Sequence, residues 1–275
     1  MPRRRIRRKN NFGITQEVHA LSRSNPKGYG NRVFSGVPHW TPDVSMAGLR
    51  CWLDPSNLNN LTIINDRVQY LNDNRSLHPF SQDTAANRPY FGRDINGLNA
   101  LEFRAGEYMT EANGDILSNF VAVDAYSLFV VFEADAVAGI RDDPWENPAI
   151  FSDGLEGFFG LHTRDSEHRI TAYHGESVDC IEPAVPVSAY IGYVCSVVLG
   201  SGTLSIRING GTPSTAAADP LGSTNGAVGL GYSPYAPIVH YDGLIGELLI
   251  FNVDVGATTR GLIESYLARK WGIAL

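Results

Sequence analysis

Cysteine is scarce in this sequence: Cys51, Cys180 and Cys195 are the three in 275 residues. They are widely spaced, odd in number and form no Cys-x-x-Cys pair. They read as buried thiols, with a Cys180–Cys195 bridge as the alternative. Long apolar runs are also missing. Nothing approaches the ~18–20 residues of a membrane span, and the basic start is not followed by the apolar segment of a secretion leader. Sustained helical periodicity is rare, with no alternation of strand and helix and no solenoid period. The 28 Gly and 15 Pro favour turns over long helices. Basic residues are few beyond the N-terminus. Residues 1–34 hold nine Arg or Lys against Glu17 alone, a net of +8, so the remaining residues carry −15 of the total of −7. An acidic body repels nucleic acid, whereas the arm could bind nucleic acid or an acidic protein surface.

What is present is a series of short apolar strands. Leu49-Arg50-Cys51-Trp52-Leu53 alternates and is broken by Asp54-Pro55-Ser56-Asn57. Val68–Leu71, Asn99–Phe103, Tyr190–Leu199, Thr203–Gly211 and Val228–Tyr232 follow the same reading, while residues 74–98 look rich in loops. The most apolar segment is Ala125–Glu133, with Leu128, Val130 and Phe132 on one face and Phe129 and Val131 on the other, so both faces must be covered. Gly243–Phe251 is a second strand buried between layers. After it, Leu262, Ile263, Tyr266, Leu267 and Trp271 recur at helical spacing, with Thr258 or Thr259 as a cap and Gly272 as the stop. About ten strands and one helix over some 230 residues predict an all-β, two-layer domain at 46–275. Residues 1–45 lack periodicity and are punctuated by Gly and Pro, which predicts an extended basic arm, unfolded alone and ordered on a larger assembly.

The quoted segments LRCWLDPSN (49–57), VQYLNDNRS (68–76), Arg88-Pro89, GLNALEF (97–103), SLFVVF (127–132), LSIRING (204–210) and the closing Tyr241–Ile273 together resemble the concanavalin A-like, laminin-G-type jelly rolls of bacteriophage and bacterial surface proteins. No single motif is specific, and it is their order and spacing that carry the resemblance. It implies a concanavalin A-like jelly-roll sandwich with a short C-terminal helix. Relatives of this kind bind carbohydrate or protein, some with calcium, and some are hydrolytic.

The chemistry-bearing residues leave several readings open. Glycosidases on the resembled fold place their acids as Glu-x-Asp-x-x-Glu, and no such run is present. Asp153 with Glu156 and Asp179 with Glu182 have unsuitable surroundings, so no catalytic residue is expected. Glu247 is either a ligand anchor or a structural acid satisfied by backbone amides or an Arg. His162, His168 and His174 recur every six residues, but the turn-like Arg164–Glu167 breaks their register and makes them surface histidines of a hairpin rather than a zinc site. No cofactor is expected. Calcium is the one candidate metal, with Asp142, Asp143 and Asp153 as loop oxygen ligands. Trp145, Tyr232, Tyr235 and Tyr241 could form a sugar platform or a subunit interface. Arg3, Arg4, Arg5, Arg7, Arg8 and Lys9 read as an assembly arm. Combined with the resemblance, the arm predicts a non-catalytic structural virion protein: a phage head decoration, fibre-base or tail component. Its expected partners are other virion proteins, copies of itself and a host-surface glycan, with nucleic acid reachable through the arm. The alternatives are a carbohydrate-binding adhesin and, after it, a glycan-processing enzyme.

Overall fold

The computed structural model describes residues 40–104, 106–111, 116, 125–135, 148–152, 159–164, 169–174, 179–181, 186–218, 228–233 and 240–275. The chain divides into two compact units, Met1–Pro38 and His39–Leu275. The first, with the arm residues Arg3, Arg4, Arg5, Arg7, Arg8 and Lys9, lies outside the described residues.

The second unit begins with β1 (Leu49–Leu53), β2 (Leu61–Ile64), β3 (Arg67–Leu71), β4 (Phe80–Ser81), β5 (Tyr90–Ile95), β6 (Leu98–Phe103) and β7 (Met109–Glu111). It continues through β8 (Tyr126–Ala134), β9 (Ala149–Ser152), β10 (Phe159–Arg164), β11 (Arg169–His174) and β12 (Asp179–Ile181). It closes with β13 (Gly192–Gly200), β14 (Thr203–Ile208), β15 (Ser214–Ala217), β16 (Gly229–Leu230), β17 (Gly243–Phe251) and α1 (Gly256–Trp271). The sequence pattern showed about ten strands. The additional ones are mostly two- to four-residue pieces and hairpin arms, such as β4, β7 and β9, too short for an alternation to register.

All the described strands are linked into one antiparallel network, which doubles back into two layers. In one layer β17 pairs with β8, β8 with β13, β13 with β14 and β14 with β15, while β1 and β6 share the other edge of β17. In the other layer β3, β4, β7, β16, β9, β10, β11 and β12 pair in that order. The layers meet where Arg67 of β3 pairs with Tyr90 of β5.

Alternation along β8 explains the two cores. Leu128, Val130 and Phe132 join Phe80, Met109, Phe151 and Leu230 between the layers. Phe129 and Val131 point the other way and join Leu249, Phe251, Ile263, Leu267 and Trp271 beneath α1. The central strand is therefore buried on both faces, the outer one by the helix.

The helix departs from its expected start. It starts at Gly256, with Thr258 and Thr259 inside its first turn, and Val255 at the cap position makes no side-chain cap bond. Asp254 Oδ1 accepts from the Gly256 amide at 2.7 Å and Ser127 Oγ from the Val255 amide at 3.2 Å, so acceptors on neighbouring elements satisfy that end. Leu262, expected inward, is 39% exposed, and Arg260 and Glu264 are buried in its stead. At the other end Gly272 adopts φ 65°, the left-handed cap that its position led us to expect.

Two further expectations change. Cys195 is a free buried thiol, so the Cys180–Cys195 bridge is ruled out. His162 and His174 sit on opposite arms of the β10–β11 hairpin, opposite Thr171 and Phe159. His174 is buried, not a surface residue, and its Nδ1 lies 3.3 Å from the Tyr126 hydroxyl. His168 lies outside the described residues.

Candidate functional site

Glu247 is the most deeply buried acid among the described residues, and its surroundings show what it does. Between Ile245 and Leu248 the register of β17 against β8 shifts by a bulge. The extra residue turns Gly246 and Glu247 both toward α1. Trp52 Nε1 donates to Oε1 at 2.6 Å and the Tyr266 hydroxyl at 2.9 Å. Lys270 Nζ at 2.6 Å and Trp271 Nε1 at 3.0 Å donate to Oε2. Four side chains of its own chain occupy the carboxylate, where sequence reasoning offered backbone amides or an Arg. It clasps helix to sheet and leaves no position for a ligand. Burial raises its pKa, with the Lys270 charge opposing.

A second group of acids, the buried Glu102 and the part-buried Glu133, Asp135 and Asp242, gathers at the ends of β6, β8 and β17. Leu244, next to the start of β17, pairs with Glu102 of β6 on one side and Glu133 of β8 on the other. Residues paired across strands share a face, so Glu102 and Glu133 flank one rung, their backbones about 9.5 Å apart at two strand spacings. Asp135 follows β8, and its amide bonds to the carbonyl of Asp242 at 3.1 Å. Arg93, carried within a bulge of β5, reaches across this rung. Its Nη2 donates to Glu133 Oε1 at 3.0 Å and to Asp135 Oδ1 at 2.8 Å. Its Nη1 donates to Asp135 Oδ2 and stands 3.5 Å from Glu102 Oε1.

Arg104 binds the same Glu102 oxygen through Nε at 3.1 Å and Nη2 at 3.0 Å. The Tyr90 ring lies between the guanidinium groups of Arg67 and Arg104, 3.8 and 4.1 Å from its centroid. Arg67 continues the series to Glu107 at 2.9 Å. The Arg93 side chain keeps 32% of its surface exposed, so this rim is accessible.

The electrostatics follow from that partial burial. Burial raises the Glu133 pKa, with Arg93 pulling it back down. Burial and then the Asp135 charge raise that of Asp242. Glu107 is raised by burial against its bonds to the Arg104 amide and Arg67. Arg93 is held more firmly protonated by its bond to Asp135.

Beside Glu107 stands an aromatic trio. Tyr108 precedes β7, Tyr232 follows β16, and His240 bridges to Tyr232. The Tyr108 and Tyr232 rings are 4.2 Å apart and tilted by 40°, and His240 lies nearly parallel to Tyr232 at 6.2 Å. Burial pushes the Tyr232 hydroxyl up to about 12 and lowers His240, keeping the imidazole neutral at pH 7.

Of the aromatic residues singled out by sequence, Tyr232 is in this trio. Tyr241 is fully buried, its hydroxyl donating to the Glu133 carbonyl at 2.8 Å. Trp145, Tyr235 and the calcium candidates Asp142, Asp143 and Asp153 lie outside the described residues. Among the described residues no group of three or more His, Cys, Asp or Glu is placed to hold a metal ion. Sequence reasoning missed Arg93, Glu102, Tyr108, Asp242 and the pair Glu133–Ala134–Asp135. The pair was readable as acids at i and i+2 closing the most apolar strand; the others come together through strand order alone.

No known protein family matches the sequence, and no curated protein does. Solved structures do match in fold. Domain 4 of AbnA, an extracellular GH43 arabinanase from Geobacillus stearothermophilus in complex with arabinotriose, is 15% identical with a TM-score of 0.54, over 81% of this chain and 98% of that one. Trypanosoma rangeli sialidase in complex with sialic acid is 13% identical with a TM-score of 0.55, over 86% of this chain and 35% of that one. A GH54 α-L-arabinofuranosidase is 14% identical with a TM-score of 0.55, over 82% and 60%. The chain thus spans nearly all of the arabinanase domain but about a third of the sialidase.

These likenesses correct the family expectation. These structures are glycoside-hydrolase and sialidase chains, not concanavalin A-like lectin jelly rolls or phage surface proteins. The fold is the mostly-β one found in glycoside-hydrolase chains. Strand alternation and a closing strand–helix specify layered antiparallel sheet, not which family carries it. The structural virion protein, its virion partners and its virion location are withdrawn on the same finding. So is the expectation of a non-catalytic chain. It rested on a single-strand acid run, whereas the fold gathers Glu102, Glu133, Asp135 and Asp242 from several strands.

Proposed function

We propose that this chain is a carbohydrate-recognition domain of a carbohydrate-active protein, taking glycan at the Arg93-centred rim. The observation that carries the reading is one part-exposed guanidinium holding Glu102, Glu133 and Asp135 near Asp242, with the aromatic trio following Glu107, which bonds to Arg67 and the Arg104 amide. Carboxylates accept from sugar hydroxyls, guanidinium N–H groups donate to them, and aromatic rings cover the apolar C–H faces. The likeness to an arabinanase domain solved with arabinotriose supports the same ligand class. The test is retention of the whole chain on an oligosaccharide array, followed by Arg93→Ala and Asp242→Asn. Retention of one glycan class, lost in both variants, is expected. Equal retention in the variants moves the site elsewhere, and no retention of any glycan removes the reading.

One observation favours a second reading, glycoside hydrolysis. Glu133 and Asp135 stand two residues apart, about 7 Å along the chain. Burial raises the Glu133 pKa, the property a general acid needs. Release of reducing ends from arabinan or xylan that disappears in both Glu133→Gln and Asp135→Asn is the outcome this reading requires. Release unchanged in the variants, or none at all, removes it.

A further inference from the structure

Tyr190 is the most exposed of the described aromatic residues. It is 68% exposed, and Ile191 beside it is 50% exposed. It also has a left-handed backbone, with φ 61°. The other non-glycine residues with positive φ are Asn65, Asp66, Ser76, Asn96, Ser201 and Asn209, short polar residues that tolerate this conformation. A bulky tyrosine does not, and an exposed ring recovers nothing from packing in the chain itself.

Its position is fixed from both sides. The Tyr190 amide donates to the Ala134 carbonyl at 2.8 Å, and the Ser188 amide donates to the Tyr193 hydroxyl at 2.8 Å. Gly192–Glu133 is the last pair of the β13–β8 ladder, and the bond to Ala134 sets the Tyr190 backbone next to the residue between Glu133 and Asp135. A Cβ at Gly192 would meet Ile95 Cγ2 at 2.7 Å, so the position between Tyr190 and Val194 stays bare. Tyr190 therefore stands at the Glu133–Asp135 end of the rung that Arg93 crosses, with its side chain in solvent.

The charge at that rung limits what can lie there. Glu102, Glu133, Asp135 and Asp242 face Arg93 and Arg104, an excess of two carboxylates at neutral pH. Both guanidinium groups are already engaged by those acids, which leaves neither free to neutralise an incoming anion. Acidic sugars are repelled, while hydroxyl-bearing neutral sugars find acceptors.

We infer that Tyr190 is a stacking residue of a subsite for neutral glycans, shared with Glu133 and Asp135, and that the rim excludes acidic sugars. This rests on the glycan-recognition reading above and adds a residue and a ligand class to it. The experiment is calorimetric titration of the whole chain with neutral oligosaccharides (arabinotriose, xylotriose, cellotriose and maltotriose) and with acidic ones (3′-sialyllactose and trigalacturonate). The variants are Tyr190→Phe, Tyr190→Ala and Tyr190→Gly, and each is also melted.

We expect at least one neutral probe to bind about tenfold or more tightly than both acidic probes. Tyr190→Phe should keep that affinity and Tyr190→Ala should lose about tenfold or more of it. Tyr190→Gly should lose as much while its Tm holds or rises, because glycine adopts positive φ without strain. A merely structural tyrosine would not separate affinity from Tm in this way. Neutral binding unchanged in the Ala and Gly variants overturns the inference and leaves glycan recognition standing. Acidic probes bound as tightly as neutral ones overturn the selectivity. Failure of every probe overturns both readings.

Discussion

At the scale of single residues, the two acid groups differ in what satisfies them, and this decides which is functional. Glu247 receives two indole N–H groups, a tyrosine hydroxyl and a lysine, all from its own chain. Glu247→Ala leaves those donors and the part-buried Lys270 without the carboxylate. It should cost about 3–5 kcal/mol in urea unfolding, and a loss below 1 kcal/mol would contradict the clasp. Its raised pKa also has a sign. The folded state holds this proton to higher pH than the unfolded chain, whose value is near 4.5. Its contribution is thus complete below about pH 4.5 and lost as pH rises through the folded value. The stability of the native chain relative to Glu247→Gln should therefore fall as pH rises above about 4.5; a difference that grows with pH would contradict this. Much of this chemistry was open to sequence reading in kind but not in partner. A lone acid among Ile245, Leu249 and Phe251 announces that something satisfies it, yet Trp52 and Tyr266 reach it only through tertiary folding and a bulge.

At the scale of elements, β17 and α1 were the most legible parts of the chain. A nine-residue apolar strand and a 3.6-residue apolar repeat ending at glycine are local signals, independent of which strands become neighbours. Their contact is tight at one point. A Cβ on Gly246 would stand 3.0 Å from Trp271 Cη2 and 3.1 Å from Val131 Cβ. Trp271 is fully buried. Trp271→Ala should cost about 3–5 kcal/mol and Gly246→Val about 1–3 kcal/mol. Because the two share one space, Gly246→Ala should be less harmful in a Trp271→Leu background than in the native one, measured as a coupling of about 0.5 kcal/mol or more. Strict additivity would show that α1 does not lie on Gly246. The short strands were not legible for the opposite reason. Two-residue β4 and β16 exist because longer neighbours hold them, and nothing in Phe80-Ser81 or Gly229-Leu230 alone requires extended pairing.

At the scale of the whole molecule, layered antiparallel sheet under a terminal helix was readable, whereas family and ligand were not. The rim explains why. Arg93 and Asp135 are 42 residues apart, and Glu102 meets Glu133 because β17 lies between β6 and β8. Sheet order is a global property, so a site assembled across it leaves little trace in local spacing. The central claim, that glycan lies on this rim, is tested most directly by a crystal structure of the chain with bound arabinotriose, or with whichever oligosaccharide the array retains. The account requires sugar density in contact with Arg93 and with at least one of Glu133, Asp135 and Asp242. Well-ordered sugar elsewhere, for example over the exposed face of α1, with the rim unchanged would contradict it.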